Sequence, residues 1–380
     1  MPLFVIFFLT LYIGMNSYVF LKIHQAFPNI GRGNYVVAGV LLVLTLLPIM
    51  VRLLDRAEYP RLATAMGIVA FSWLAVVFWF CCSSLAMDVW NGGTLLAGKW
   101  WPVARGLAIG PRTALCVVSA VIVTFTTWSL IEAHSIGLSE ITIQTSRLPA
   151  GSKPIRILQI SDMHLGGGNT DGRLQKVLAM IDELKPDMVV TTGDMVDSPY
   201  DNIKGYADSL AAVKPPLGKF AVMGNHEYYT GLKESMQFFQ EAGFRFLRQT
   251  SEPAGDNILV AGADDPAGPR NQKNDSPLAD PLPDRTSAGE FVLLLKHRPE
   301  VQEKSLGRFD LQLSGHTHGG QIFPFNLVIK MIYKYDRGFF ELSDGSRLYV
   351  SRGTGTWGPP MRLASPPEVT LITLKPAGTK

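Results

Sequence analysis

The chain has 380 residues, a length that suits two or three domains rather than one. Hydrophobic residues make up 47% and charged residues only 18%, which is apolar for a soluble protein. The net charge of +3 is too small to suggest nucleic-acid binding by itself, so nucleic acid is not an evident partner.

The apolar residues crowd into the front third. Pro2 to Leu21 carries no charge, and Tyr35 to Val51, Ala63 to Met87 and Thr113 to Ile131 form three further runs. A bilayer core of about 30 Å takes roughly 20 apolar helical residues. The first, third and fourth runs meet this; Tyr35 to Val51 lies near the lower limit, and Pro48 is expected to kink or end it. Four transmembrane helices are therefore predicted, at about 2–21, 35–51, 63–87 and 113–131, with residues 1–134 as the membrane region. The first run lacks the basic flank of a signal peptide, and three more spans follow it. The stretch from Ile68 to Phe78 has no polar stripe of the kind a soluble bundle would carry. Cys81, Cys82 and Cys116 all lie in these runs and form neither a disulfide framework nor a zinc cluster.

These features predict a multi-pass protein of the cell membrane. Basic residues in the loops give a five-to-five tie on orientation, and the flanks of the first and fourth helices lean towards an external carboxyl-terminal domain. Trp90, Trp100, Trp101 and Trp128 fall near predicted helix ends, where amphipathic rings favour the interface. Nothing in the sequence sets the oligomeric state.

From residue 135 the pattern is that of a globular domain. Strands are predicted at Ile141 to Thr145, Ile155 to Ile160, Met188 to Thr192 and Lys219 to Met223. Helices are predicted at Arg173 to Leu184, around Lys204 to Val213, and at Leu232 to Ala242. A long loop rich in Asp, Pro, Gly and Asn is expected from Ala263 to Gly289. Four strands follow, at Phe291 to Leu295, Asp310 to Leu313, Leu348 to Ser351 and Val369 to Thr373. Alternation early and strands late imply a layered α/β domain over 135–380, with helices outside a pair of sheets.

Five of these strands end in a hard donor: Asp162-Met163-His164, Gly193-Asp194-Met195-Val196-Asp197, Gly224-Asn225-His226-Glu227, Lys296-His297 and Gly315-His316-Thr317-His318. Ligands gather beyond the carboxyl ends of strands in open α/β sheets. In extended chain, residues i and i+2 point the same way, so Asp162 and His164 can reach one ion together. Singly, most of these pieces read as turns or caps; Gly-His-Thr-His is the most specific. Yet five of the chain's seven histidines fall in the tips, and the other two, His24 and His134, flank apolar runs. Nitrogen and oxygen donors without thiolate suit Mn, Fe or Zn, and are too nitrogen-rich for a Mg or Ca cage.

In order and spacing these motifs resemble the calcineurin-like metallophosphoesterase superfamily, over roughly Leu138 to Lys375. Gly319-Gly320-Gln321 and Arg352-Gly353-Thr354-Gly355 resemble its bacterial membrane-associated branch; some members of the wider superfamily cleave the pyrophosphate of UDP-2,3-diacylglucosamine. The resemblance implies a two-sheet β-sandwich flanked by helices and two divalent metal ions. Asp162, His164, Asp194 and His318 would hold one; Asp194, Asn225, His297 and His316 would hold the other. His226 would be catalytic, contacting the scissile phosphate or protonating the leaving oxygen.

The expected activity is hydrolysis of a phosphoester or pyrophosphate bond, with a lipid-linked substrate favoured by the membrane tether. A phosphodiesterase of soluble nucleotides and a non-catalytic membrane metal sensor or scaffold are the alternatives. Glu227 or Asp197 is expected to orient His226 or a metal ligand, with a helix cap or turn weighed evenly against it for Asp197. Arg298, Arg352 and Arg362 are candidate phosphate or headgroup contacts, each weighed against ordinary surface charge. Tyr228, Tyr229, Phe323, Phe325 and Trp357 are weighed as an apolar entrance against simple packing.

Overall fold

The computed structural model describes residues 2–56, 59–166, 170–198, 200–268, 280–282 and 289–378. Most of the loop expected between Ala263 and Gly289 lies outside the described residues. The chain divides into two compact units: Met1–Leu130 with Gly358–Met361, and Ile131–Trp357 with Arg362–Lys380.

The first unit is helical. Its helices are α1 (Pro2–Ala26), α2 (Gly33–Arg56), α3 (Pro60–Ala97) and α4 (Pro111–His134), the last running into the second unit. All four are long and apolar enough to cross a membrane. Pro48 does not end α2, which continues to Arg56. The helix predicted to stop at Met87 runs ten residues further, through Asp88, Asn91 and two glycines. At about 1.5 Å per residue, α3 is therefore longer than a bilayer core is thick. Tyr12, Val19, Leu41, Val77, Phe80 and Val118 form the unit's core. Polar groups inside it pair locally. Trp73 Nε1 donates to Asn16 Oδ1 at 3.0 Å, and Asn16 Nδ2 donates to the Tyr12 carbonyl at 2.9 Å. Lys22 and the Tyr18 hydroxyl both meet the Asp88 carboxylate.

The second unit is a sandwich of two six-stranded sheets. Its strands are β1 (Gly137–Thr145), β2 (Ile155–Ile160), β3 (Met188–Thr191), β4 (Lys219–Ala221), β5 (Arg245–Phe246), β6 (Thr250–Pro253), β7 (Ile258–Ala263), β8 (Phe291–Lys296), β9 (Leu311–Ser314), β10 (Gly338–Glu341), β11 (Arg347–Val350) and β12 (Glu368–Pro376). The sheet orders are β1-β12-β2-β3-β4-β5 and β10-β11-β9-β8-β7-β6. Within them, β2 to β5 run parallel, as do β7, β8, β9 and β11. Parallel strands need helical or long crossovers, and α5 (Thr170–Leu184), α6 (Tyr200–Ala211), α7 (Asn225–Thr230) and α8 (Leu232–Glu241) supply those of the first sheet.

Side-chain alternation builds the layers. Ile157, Met188, Val190, Phe220 and Val222 face Val260, Leu293, Leu295, Leu311 and Leu313 across the sandwich. The intervening Leu158, Ile160 and Val189 point the other way, onto Leu174, Val177 and Ile181 of α5, Ile203 of α6 and Phe238 of α8. On the opposite flank, Val292 and Leu294 pack with Phe309 and Leu282. Gln159 sits at an inward position and its Nε2 donates to Thr192 Oγ1 and to the Ser314 carbonyl, both at 3.0 Å. This bond ties the two sheets together directly beneath the strand tips.

Candidate metal centre

All five predicted tips converge at one end of the sandwich. Asp162, His164 and His318 offer donor atoms within 4.8 Å of one another, and so do Asp194, His297 and His316. Asn225 joins the second group through Oδ1, 3.2 Å from His297 Nε2. Asp162, Asp194, His164 and His297 are all buried, and His226 stands half-buried beside them. A third group, His164, Asp194 and His226, lies within the same reach, so His226 stands closer to the donor atoms than a purely outer position would require.

The backbone is bent to aim these side chains. Asp162 (φ 52°), His164 (φ 51°), Asp194 (φ 52°), His316 (φ 71°) and His318 (φ 50°) all adopt left-handed conformations. Such conformations cost of order 1–3 kcal/mol each and persist only where the surroundings enforce them. Those surroundings are visible. The Asp162 N–H donates to the Gly193 carbonyl at 3.0 Å, and the His164 N–H to the Asp194 carbonyl at 3.0 Å. Glu227 is fully buried and accepts four backbone N–H groups, from Asp194 (2.9 Å), Met195 (2.6 Å), Val196 (3.2 Å) and Gly224 (2.7 Å). It therefore holds the Asp194 turn against the start of α7. Gly193 (φ +90°) lies so close that a Cβ there would meet the Gly224 nitrogen at 2.3 Å. A Cβ on Gly315 would strike Asp162 Oδ2 at 2.2 Å.

The imidazole nitrogens are arranged for a cation. His297 Nδ1 lies 2.8 Å from the Thr192 carbonyl and must donate to it, which leaves the Nε2 lone pair facing inward. His316 Nε2 lies 2.9 Å from the Tyr333 hydroxyl, and its Nδ1 sits 3.0 Å from His297 Nε2. His164 Nδ1 lies 3.0 Å from both Asp197 oxygens, and its Nε2 is 3.2 Å from His318 Nε2. An outer N–H on a carbonyl or carboxylate, as at His297 and His164, is the usual support of a metal-ligating histidine. Among these rings His318 differs, because its Nδ1 faces the Arg362 guanidinium at 3.1 Å. The buried carboxylates complete a hard, mixed donor set that fits divalent metal ions.

Charge in the cluster is strongly coupled. Burial opposes ionisation of Asp194, but His297 and the neighbouring rings outweigh it and hold the carboxyl well below the usual range. At Asp162 burial prevails and raises the carboxyl. Burial acts against a charged His297, yet Asp194 and Asp162 lift it to about 10. Burial, with the charges of His297 and Arg298, lowers His316 to about 3. Burial and Arg362 hold His318 well below its ordinary value. Burial works against His226 as well, but Asp197, 2.7 Å from its Nδ1, raises it to about 9. Burial and Asp194 push Glu227 up to about 7. Ligation requires neutral rings, so the protein-only charge state of His297 is not that of a metal-loaded site.

The outer residues divide. Asp197 touches two of the rings, accepting from His164 and from His226. None of the three arginines is a loose surface charge. Arg298 binds Asp265 through two bonds of 2.8 and 3.2 Å, and Arg352 binds Glu368. Arg362 is fully buried; it donates to the carbonyls of Arg352, Gly353, Gly355, His318 and Ser365. It braces the His318 turn from within, so neither a substrate-facing nor a surface role fits it. Tyr229 (62% exposed) and Trp357 (55% exposed) flank His226, with ring centres 5.5 and 6.2 Å away. Tyr333, behind His316, carried no signal in the sequence beyond lying downstream of the last histidine motif.

The calcineurin-like phosphoesterase family profile matches residues 155–320. An uncharacterized metallophosphoesterase of Aquifex aeolicus (strain VF5) is 41% identical over 252 residues, covering 66% of this chain and 96% of its own length. A transmembrane protein with metallophosphoesterase domain from Danio rerio is 33% identical over 250 residues, 63% of this chain and 57% of its own length. A protein of the same description from Bos taurus is 27% identical over 341 residues, 84% of this chain and 76% of its own length. The chain belongs to the calcineurin-like phosphoesterase family: it is a metallophosphoesterase with a buried His/Asp metal site and membrane helices.

Proposed function

We propose that residues 135–380 form a binuclear phosphoesterase domain, anchored by residues 1–134, that hydrolyses a phosphoester or pyrophosphate bond of a lipid-linked substrate. One ion would be held by Asp162, His164, Asp194 and His318, the other by Asp194, Asn225, His297 and His316, with Asp194 shared. The observation that carries this is the pair of converging nitrogen contacts, 3.2 Å between His164 and His318 and 3.0 Å between His297 and His316, with Asp194 in both neighbourhoods. When bound, two such ions, of Mn, Fe or Zn, would neutralise phosphoryl charge and activate water for in-line attack.

The protein's own part is orientation and proton supply. His226 Nδ1 is held by Asp197, and the His226 N–H by Asp194 Oδ1 at 2.9 Å. The ring's Nε2 is then the nitrogen that serves the leaving oxygen as general acid. Two carboxylates thus hold one acid. A lipid-linked substrate is supported by the four apolar helices and by exposed aromatic side chains beside His226. The lipid-linked nucleotide-sugar pyrophosphates cleaved elsewhere in the superfamily are one class to test. The charge around the first and fourth helices favours an external catalytic domain, which a reporter fused at Lys380 would read.

The direct test is hydrolysis of bis(p-nitrophenyl) phosphate by the full chain with added manganese. Turnover by the wild type, lost in Asp194→Asn and His226→Ala, is the expected result. No wild-type turnover, or equal turnover in the variants, would overturn the enzyme reading and leave a binding role.

A further inference from the structure

A short helix beside the site has its apolar side turned outward. This is α9 (Phe325–Ile332), which follows the last histidine motif. Phe325, Leu327, Val328, Met331 and Ile332 are 39, 53, 42, 87 and 64% exposed, and the preceding Phe323 is 39% exposed. Positions 325, 328 and 332 follow the i, i+3, i+7 pattern, and 327 and 331 widen the same stripe. In a soluble helix that stripe would face the core. Here the inner contact is made instead by Asn326, which is buried. Contiguous outward apolar surface of this kind marks an interaction site.

Three observations select the occupant. Lys330 and Lys334 are exposed at the end of the apolar stripe, the composition of a helix that lies in an anionic membrane surface. The domain is also tied to a membrane segment by a very short link. The apolar helix α4 ends at His134 and the first strand begins at Gly137, so chain length alone keeps the domain at the bilayer. The helix adjoins the catalytic end as well: Tyr333, the residue after α9, places its hydroxyl 2.9 Å from His316 Nε2.

We propose that the outer face of α9, with Phe323, seats in an anionic phospholipid surface and thereby presents the metal centre to phosphoesters carried in that surface. The inference rests on the membrane-tethered phosphoesterase reading for its substrate, but the seating itself can be measured without turnover.

The test uses the full chain with Cys81, Cys82 and Cys116 replaced by Ser, reconstituted in nanodiscs of phosphatidylcholine and phosphatidylglycerol. A bimane label is placed through Met331→Cys, with Ser251→Cys on β6 as the aqueous control. Lipids spin-labelled near the headgroup end of the acyl chain should cut the Met331-site fluorescence about twofold and leave the control unchanged, as burial at the headgroup boundary requires. Iodide should do the reverse. Lys330→Glu with Lys334→Glu should weaken the lipid quenching. A Met331-site label quenched by iodide as strongly as the control, and not by lipid, would overturn the proposal.

Turnover supplies the second arm. Met331→Asp with Ile332→Asp should lower kcat/KM at least about tenfold on a vesicle-borne phosphoester, while hydrolysis of bis(p-nitrophenyl) phosphate stays within about twofold. Equal rates on the vesicle substrate, or equal losses on both substrates, would overturn the substrate-presenting role. Lipid quenching in a protein that hydrolyses neither ester would sink the phosphoesterase reading and leave the seating standing.

Discussion

Polar groups inside the helical unit and inside the catalytic end of the sandwich are handled differently. In the helical unit they meet in separate complementary pairs, such as Trp73 N–H on Asn16 oxygen and Lys22 on Asp88. Such pairing is what burial in an apolar setting demands. At the strand tips, ring nitrogens crowd against one another and against carboxylates. His164 and His318 present nitrogens 3.2 Å apart, and His297 and His316 do so at 3.0 Å. Left-handed turns, which also cost energy, hold them there. The contrast teaches where to look for a ligand: isolated complementary pairs close a region on itself, whereas a cluster of ring nitrogens and carboxylate oxygens within 4.8 Å offers a cation several donors at once.

Substitutions at the tips should break that contrast most severely. Asp194→Asn removes the charge proposed to serve both ions, and kcat on bis(p-nitrophenyl) phosphate should fall on the order of 10³-fold or more, read by steady-state kinetics. His226→Ala should cost about 10²–10⁴-fold in kcat. Its effect should be greater on an alkyl ester, whose leaving oxygen needs a proton, than on the p-nitrophenyl ester. Asp197→Asn leaves every proposed ligand in place but weakens the hold on His164 and His226, so a loss of about 10–100-fold in activity or metal affinity is expected.

Glu227→Gln tests the scaffold rather than the chemistry. An amide nitrogen would confront N–H groups that now donate to a carboxylate, a cost of about 1–3 kcal/mol. A lowered thermal midpoint of the second unit, followed by differential scanning calorimetry, would show it. A midpoint unchanged from wild type would mean that other contacts hold the Asp194 turn.

Sequence alone singled out the candidate ligand positions, for a physical reason. A buried strand is an apolar run, so a polar residue directly after one stands out, and Asp162, Asp194, Asn225, His297, His316 and His318 all follow such runs. Strand β2 was legible residue for residue, because its alternation is bounded by Pro154 and Ser161. What the sequence hid is what depends on neighbours far along the chain. Left-handed φ at five candidate ligands has no compositional signal when the residues are Asp and His rather than Gly. Arg362 reads as a surface cation, yet the carbonyls of His318, Arg352, Gly353, Gly355 and Ser365 enclose it. Helix α9 is only eight residues long, too short for periodicity to separate it from a loop. Strand β7, Ile258–Ala263, lacks the polar alternation of a half-exposed strand because it is almost wholly buried.

The central claim is that Asp194 serves two ions at once, and metal counting tests it most directly. Purified wild type, Asp194→Asn and Asp162→Asn, each loaded with manganese and freed of excess, are measured by inductively coupled plasma mass spectrometry. The account predicts two ions per chain in the wild type, loss of both in Asp194→Asn and loss of mainly one in Asp162→Asn. The same single-ion loss in both variants would contradict it.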